Sequence, residues 1–359
     1  MAKRFQILIA ALTACAATAL AAPRLNWLNP THNFGAFSES MGKVTCTFLA
    51  VNVGDEPAVV LDARANCGCT RPRYDKRPVA PGDTLRVTVS YDPSGRPGRF
   101  HKQVRVNTNA IDGPATLNIR GTVIGSPQTL NQRYPVMAGN ARLSNDLAAF
   151  GSGRKGSIRA ASIQIYNVGA DSITPAVADM PGYINTVFTP SRIAPGEQGI
   201  LSLTAYTDRC PQWGVVEDSF SLIPDSRYPD SVKTVQTVVI VNEDFSKMTR
   251  EEEAQAPKAV LSTDMIDFGK IDRSAGQLTR SFEITNAGHQ PLILRRVYSA
   301  DRALQISVPY EKIKPGKSEK VTLTLDPAKI PADELLNARI SVITNSPSAP
   351  NQNVRVVGQ

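Results

Sequence analysis

Short segments in which apolar and polar residues alternate run through the chain, with turn residues between them. Val44, Cys46, Phe48 and Ala50 occupy every second position of one such segment, Ala161, Ile163 and Ile165 of another, and Leu278, Phe282 and Ile284 keep the same parity in a third. A period of two sends these side chains to one face of a strand, toward a core. No long stretch carries the apolar repeat of a helix. The predicted class is all-β.

Three landmarks recur with nearly fixed spacing. Phe34-Gly35, Phe150-Gly151 and Phe268-Gly269 each open a unit. Asn52, Asn167 and Asn286, each in an Asn-x-Gly, follow at offsets of 18, 17 and 18, and Pro81-Gly82, Pro195-Gly196 and Pro315-Gly316 come 29, 28 and 29 residues later. Such spacing marks three copies of one module. Asn-x-Gly is expected to end a strand through positive φ, and Pro-Gly to turn before the next strand. Roughly seven short strands in about 100 residues match an immunoglobulin-like sandwich. The expected organisation is three tandem immunoglobulin-like β-sandwich domains at residues 22–125, 126–243 and 258–359. Residues 244–257 form a linker whose Thr249 and Glu252 suit a capping box, with Pro257 ending the helix.

Residues 1–21 read as an address rather than part of the fold. Lys3 and Arg4 precede an apolar run that ends in Ala19-Leu20-Ala21, the pattern of a cleaved signal peptide. Export to the periplasm or beyond is expected. The competing reading makes Cys15 the lipidated anchor of a lipoprotein, the one route by which a membrane would enter.

The candidate chemistry gathers around Asn66-Cys67-Gly68-Cys69-Thr70 in the first copy. Cys46, Cys67, Cys69 and Cys210 remain beyond the leader, and an exported chain with paired thiols invites a disulfide. Cys67 with Cys69 is one pairing, which Gly68 would permit in a tight turn. Cys46 with either of them is another, and a third reading leaves Cys46 as a buried small hydrophobe. No partner is evident for Cys210. His32, His101 and His289 lack zinc-type spacing to the cysteines, so no metal or other cofactor is expected. No nucleophile elbow, metalloprotease helix or phosphate loop appears, and the chain is read as non-enzymatic.

Charge adds a second feature. The net charge of +8 is concentrated near the cysteines, where Arg71, Arg73, Lys76 and Arg77 follow the box and Arg99 and Lys102 lie on the next hairpin. On one face these cations would attract an acidic glycan. Nucleic acid is not expected, because no series of stacking aromatics accompanies them.

The first module, through Phe34-Gly35, Asn52-Val53-Gly54, Cys67-Gly68-Cys69-Thr70 and Pro81-Gly82, resembles a bacterial secreted family of unknown function whose hallmark is a Cys-Gly-Cys-Thr box. That family is similar to the Hydin-type (ASH-like) immunoglobulin-like modules. The resemblance implies a sandwich fold and a non-catalytic adaptor role. The second and third modules keep the landmarks without the cysteines. The resulting expectation is an exported binding or scaffolding protein of the cell envelope, its partner an unknown envelope protein or an acidic glycan. A thiol-redox protein using Cys67 and Cys69 is the alternative, and a periplasmic chaperone the second.

Overall fold

A computed structural model describes residues 21–331 and 333–359. Cys15 and all but the last residue of the expected leader lie outside them. The described chain is all-β, with six sheets and three separate apolar cores. It divides into two compact units, one ending at Gln132 and one running from Arg133 to Gln359.

In the first unit the strands are β1 (Leu25–Trp27), β2 (Thr31–Ser38), β3 (Val44–Asn52), β4 (Val60–Ala65), β5 (Thr70–Tyr74), β6 (Thr84–Tyr91), β7 (Gly98–Thr108) and β8 (Ala115–Ile124). They form two four-stranded sheets in the orders β1-β3-β6-β5 and β2-β8-β7-β4. Alternation sends Phe48, Val87, Val89, Val104, Val106, Leu117 and Ile119 inward, where they make one core between the sheets. Tyr91 stacks on Phe100 with ring centroids 4.0 Å apart. β2 runs parallel to β8, and its register shifts between Asn33 and Ala36. Gly35 sits at that bulge with φ of 68°, a conformation that glycine adopts without steric cost. The second unit repeats this plan. Leu147–Arg154 runs parallel to Lys233–Asn242 with a shift at Ala149/Gly151, and Met265–Asp267 runs parallel to Asn351–Gly358.

The recurring asparagines are buried hubs. Asn52, Asn167 and Asn286 are each fully buried. Asn52 Nδ2 donates to Glu56 O (2.8 Å) and Val79 O (3.0 Å), and its Oδ1 accepts from Gly54 N (3.1 Å). Asn167 and Asn286 make the equivalent three bonds in their own modules. Thus one side chain fastens the strand end, the loop after it and the segment before the Pro-Gly turn. The expectation of positive φ at Asn-x-Gly is corrected here, since neither residue of these motifs adopts it. Gly54 and Gly288 serve close approach instead, because a Cβ there would collide with the backbone of residues 22–24 and 256–258. Positive φ belongs to the Pro-Gly turns, at 83°, 70° and 72° for Gly82, Gly196 and Gly316.

The linker of the second unit holds helix Arg250–Gln255, closed by Thr249 Oγ1 accepting from Glu252 N (3.2 Å) and Glu252 Oε2 accepting from Thr249 N (2.8 Å). Nearby, Arg295 pairs with Glu243 at 2.6 Å. The ring of Trp213 lies 5.0 Å from the Arg295 guanidinium and 5.2 Å from Lys155 Nζ. Arg296 donates to Val215 O (2.7 Å) and Trp213 O (3.2 Å). These contacts couple the second sandwich to the third.

Candidate functional site

The cysteine box is the crossover from β4 in one sheet of the first sandwich to β5 in the other. Asn66 N donates to Gln103 O (3.2 Å), Thr70 N to Cys67 O (3.3 Å) and Asp92 N to Cys69 O (2.9 Å), so the backbone of the crossover is held on both sides. Cys67 and Cys69 are joined by a disulfide. Cys67 is half-buried and Cys69 is buried. Thr70 Oγ1 lies 3.5 Å from Cys67 Sγ and 3.7 Å from Cys69 Sγ. Gly68 has no positive φ, and beyond its two chain neighbours a Cβ on it would meet nothing within 4 Å.

Cys46 takes no part in a bridge. It is free and buried on β3, facing the core, and burial pushes its thiol up to about 11. The rival pairing of Cys46 with the box is therefore corrected: Cys67 and Cys69 are bonded to each other, which leaves Cys46 a buried thiol of the same core. Cys210 is likewise free and buried, and burial raises its thiol. Among the described residues no three His, Cys, Asp or Glu side chains gather as metal ligands.

The six cations expected to make one patch are divided between the two sheets. Arg71 and Arg73 are exposed on β5, on the outer side of β1-β3-β6-β5, with Lys76 and Arg77 in the loop that follows. Arg77 is engaged by Asp75 at 2.8 Å, and its hydrogen bonds hold the Asp75 carboxyl below the usual carboxylate range. Arg99 points outward from β7 in the opposite sheet. Lys102 shares the parity of Phe100 and Val104 and is half-buried. The chain changes sheets between β6 and β7, so the cations of β5 and its loop face away from those of β7.

The outer side of β2-β8-β7-β4 carries the more concentrated charge. Arg64 lies directly across from Arg105, and His101 across from Arg120; Arg99 is on the same side. Asp62 is the only carboxylate on these four strands, and it is tied to Arg64 at 2.6 Å. Asn118 Oδ1 lies 3.2 Å from His101 Nε2 and accepts from Gln103 Nε2 at 3.3 Å. An open groove of about 760 Å³ runs over this face, lined by Thr31, Asn33, Arg99, His101, Asn118 and Arg120 among others. The corresponding sheet of the second sandwich presents Glu217, Ser219, Gln236 and Val238 outward, so the charge is not a property of the fold. Arg120 escaped the sequence reading, although its parity with Thr116, Asn118 and Thr122 placed it on this face.

The family described as "Protein of unknown function (DUF1573)" matches residues 25–123 and 260–359. Among curated proteins, none matches the chain. A crystal structure of a protein of unknown function from Porphyromonas gingivalis W83 is 22% identical, covers 62% of this chain and 100% of its own, and has a TM-score of 0.50. Its likeness is one of fold. The I-band fragment I67–I69 of titin aligns over 95% of this chain and 99% of its own at 11% identity and a TM-score of 0.20. The periplasmic chaperone SfaE aligns over 61% and 100% at 13% identity and a TM-score of 0.22.

Proposed function

We propose, on the premise that the chain belongs to the DUF1573 family of proteins of unknown function, that it is an exported, non-catalytic binding and scaffolding component of the cell envelope. Its ligand is an acidic glycan, held on the outer side of β2-β8-β7-β4. The observation that carries this reading is the gathering of Arg99, Arg105 and Arg120, with Arg64, on one sheet face whose strands carry a single carboxylate, Asp62. A face of one sign of charge attracts an extended anion laid across it. A row of carboxylates along a glycan supplies such charges at repeated spacing. The polar hydrogen-bonding groups of Asn33, Asn118 and Gln103 suit sugar hydroxyls. The leader expected at residues 1–21 supports export, and the resemblance of the first sandwich to Hydin-type modules supports an adaptor role.

Titration of the chain beginning at Ala22 with polygalacturonate, and in parallel with single-stranded oligothymidylate, tests the reading. Saturable binding to polygalacturonate that weakens as salt rises is expected. Absence of binding, or tighter binding to the oligonucleotide, would overturn the glycan assignment.

A further inference from the structure

We propose that the Cys67–Cys69 bridge is a thiol–disulfide exchange site that oxidises dithiols of extracytoplasmic proteins, a reading independent of glycan binding. The bridge joins residues only two apart. It therefore fastens no strand to another, and the crossover it occupies is already held by the backbone bonds of Asn66, Thr70 and Asp92. A bridge that adds little constraint to the unfolded chain is poorly suited to serve as a staple. Its two cysteines are unequal: Cys67 is half-buried and Cys69 buried, so Cys67 is the one a client would reach. The Thr70 hydroxyl lies beside both sulfurs and is placed to donate to whichever becomes the thiolate.

The step balances with the bridge as the oxidant. A client thiolate attacks Cys67 Sγ, a client–Cys67 bond forms, and the Cys67–Cys69 bond breaks. Cys69 leaves as a thiolate that Thr70 stabilises and then takes up a proton. The client's second thiol loses its proton and attacks the client sulfur of the mixed disulfide. Cys67 leaves as a thiolate, and the client ends oxidised as the protein ends as a dithiol.

The buried thiols of Cys46 and Cys210 provide an internal measure of unfolding. The chain beginning at Ala22 is held in glutathione buffers of graded redox poise, alkylated with iodoacetamide, and read by peptide mass spectrometry alongside circular dichroism. Expected is alkylation of Cys67 and Cys69 while Cys46 and Cys210 stay protected and the β spectrum is unchanged. A Cys69→Ser variant is expected to trap a glutathione adduct on Cys67, and Thr70→Val to slow native-state reduction about tenfold, the scale of losing one hydrogen bond to a charged sulfur. Reduction only when all four cysteines become reactive together would overturn the proposal. So would a Thr70→Val chain that is reduced at the wild-type rate.

Discussion

Replacing Asn52 by Ala should destabilise the first sandwich far more than a typical polar-to-alanine change. The side chain is fully buried and makes three bonds of 2.8–3.1 Å to backbone groups. Val79 O keeps a second donor, Ala58 N at 2.9 Å, so its loss is partly offset. Glu56 O and Gly54 N lose their side-chain partner inside the loop. At about 1 kcal/mol per hydrogen bond removed, plus the cost of leaving two polar groups poorly paired, the expected loss is about 3–4 kcal/mol. Trp27 packs against the first core and Trp213 against the second, and the chain has two tryptophans. In a Trp213→Phe background, fluorescence during guanidinium unfolding therefore reports the first unit. A shift of less than about 1 kcal/mol would refute the reasoning that this asparagine is the hub of the module.

Three further outcomes follow from particular side chains. Burial of Cys46 favours its neutral thiol, with about 11 in the fold against an ordinary 9.0. Its contribution is fully present below pH 9 and lost as pH rises toward 11, worth about 2–3 kcal/mol; the stability difference between wild type and Cys46→Ala, measured by urea unfolding, should shrink over that window. For Glu39, burial alone would raise the carboxyl, but donation from Ser126 N, Gly95 N and the Thr129 hydroxyl outweighs it and lowers the value. The stability this provides is present above the ordinary carboxylate range and lost as pH falls, so Glu39→Gln should flatten the acid limb of the unfolding midpoint. Gly214→Val would drive a side chain into Ile343 at a position of φ 77°; calorimetry should show the second unit's transition fall by several degrees while the first unit's stays in place.

The module frame was legible because each landmark answers a local demand. Phe-Gly marks the bulge in the parallel strand of the first two modules, Pro-Gly a turn of positive φ, and Asn-x-Gly the buried hub. The reason for the last was not legible. That Gly54 yields to the backbone of residues 22–24 depends on a segment some thirty residues away, which no local pattern encodes. Alternation also showed which cations point outward, but not from which sheet. Arg71 and Arg99 look alike in sequence and face opposite directions, because the connection between β6 and β7, residues 92–97, moves the chain from one sheet to the other. The cluster of Trp213, Glu243 and Arg295 lay beyond reach for a similar reason. Trp213 and Glu243 sit just outside strand ends and Arg295 at the register shift of Leu292–Ser299, where periodicity carries no information.

Two double variants, compared by titration with polygalacturonate, place the binding face most directly. Arg105→Ser/Arg120→Ser alters the outer side of β2-β8-β7-β4, and Arg71→Ser/Arg73→Ser the outer side of the other sheet. At roughly 0.7 kcal/mol per exposed cation, the first pair should weaken binding about tenfold, and the second less than about twofold. Equal losses in both, or the larger loss in the second, would contradict the assignment.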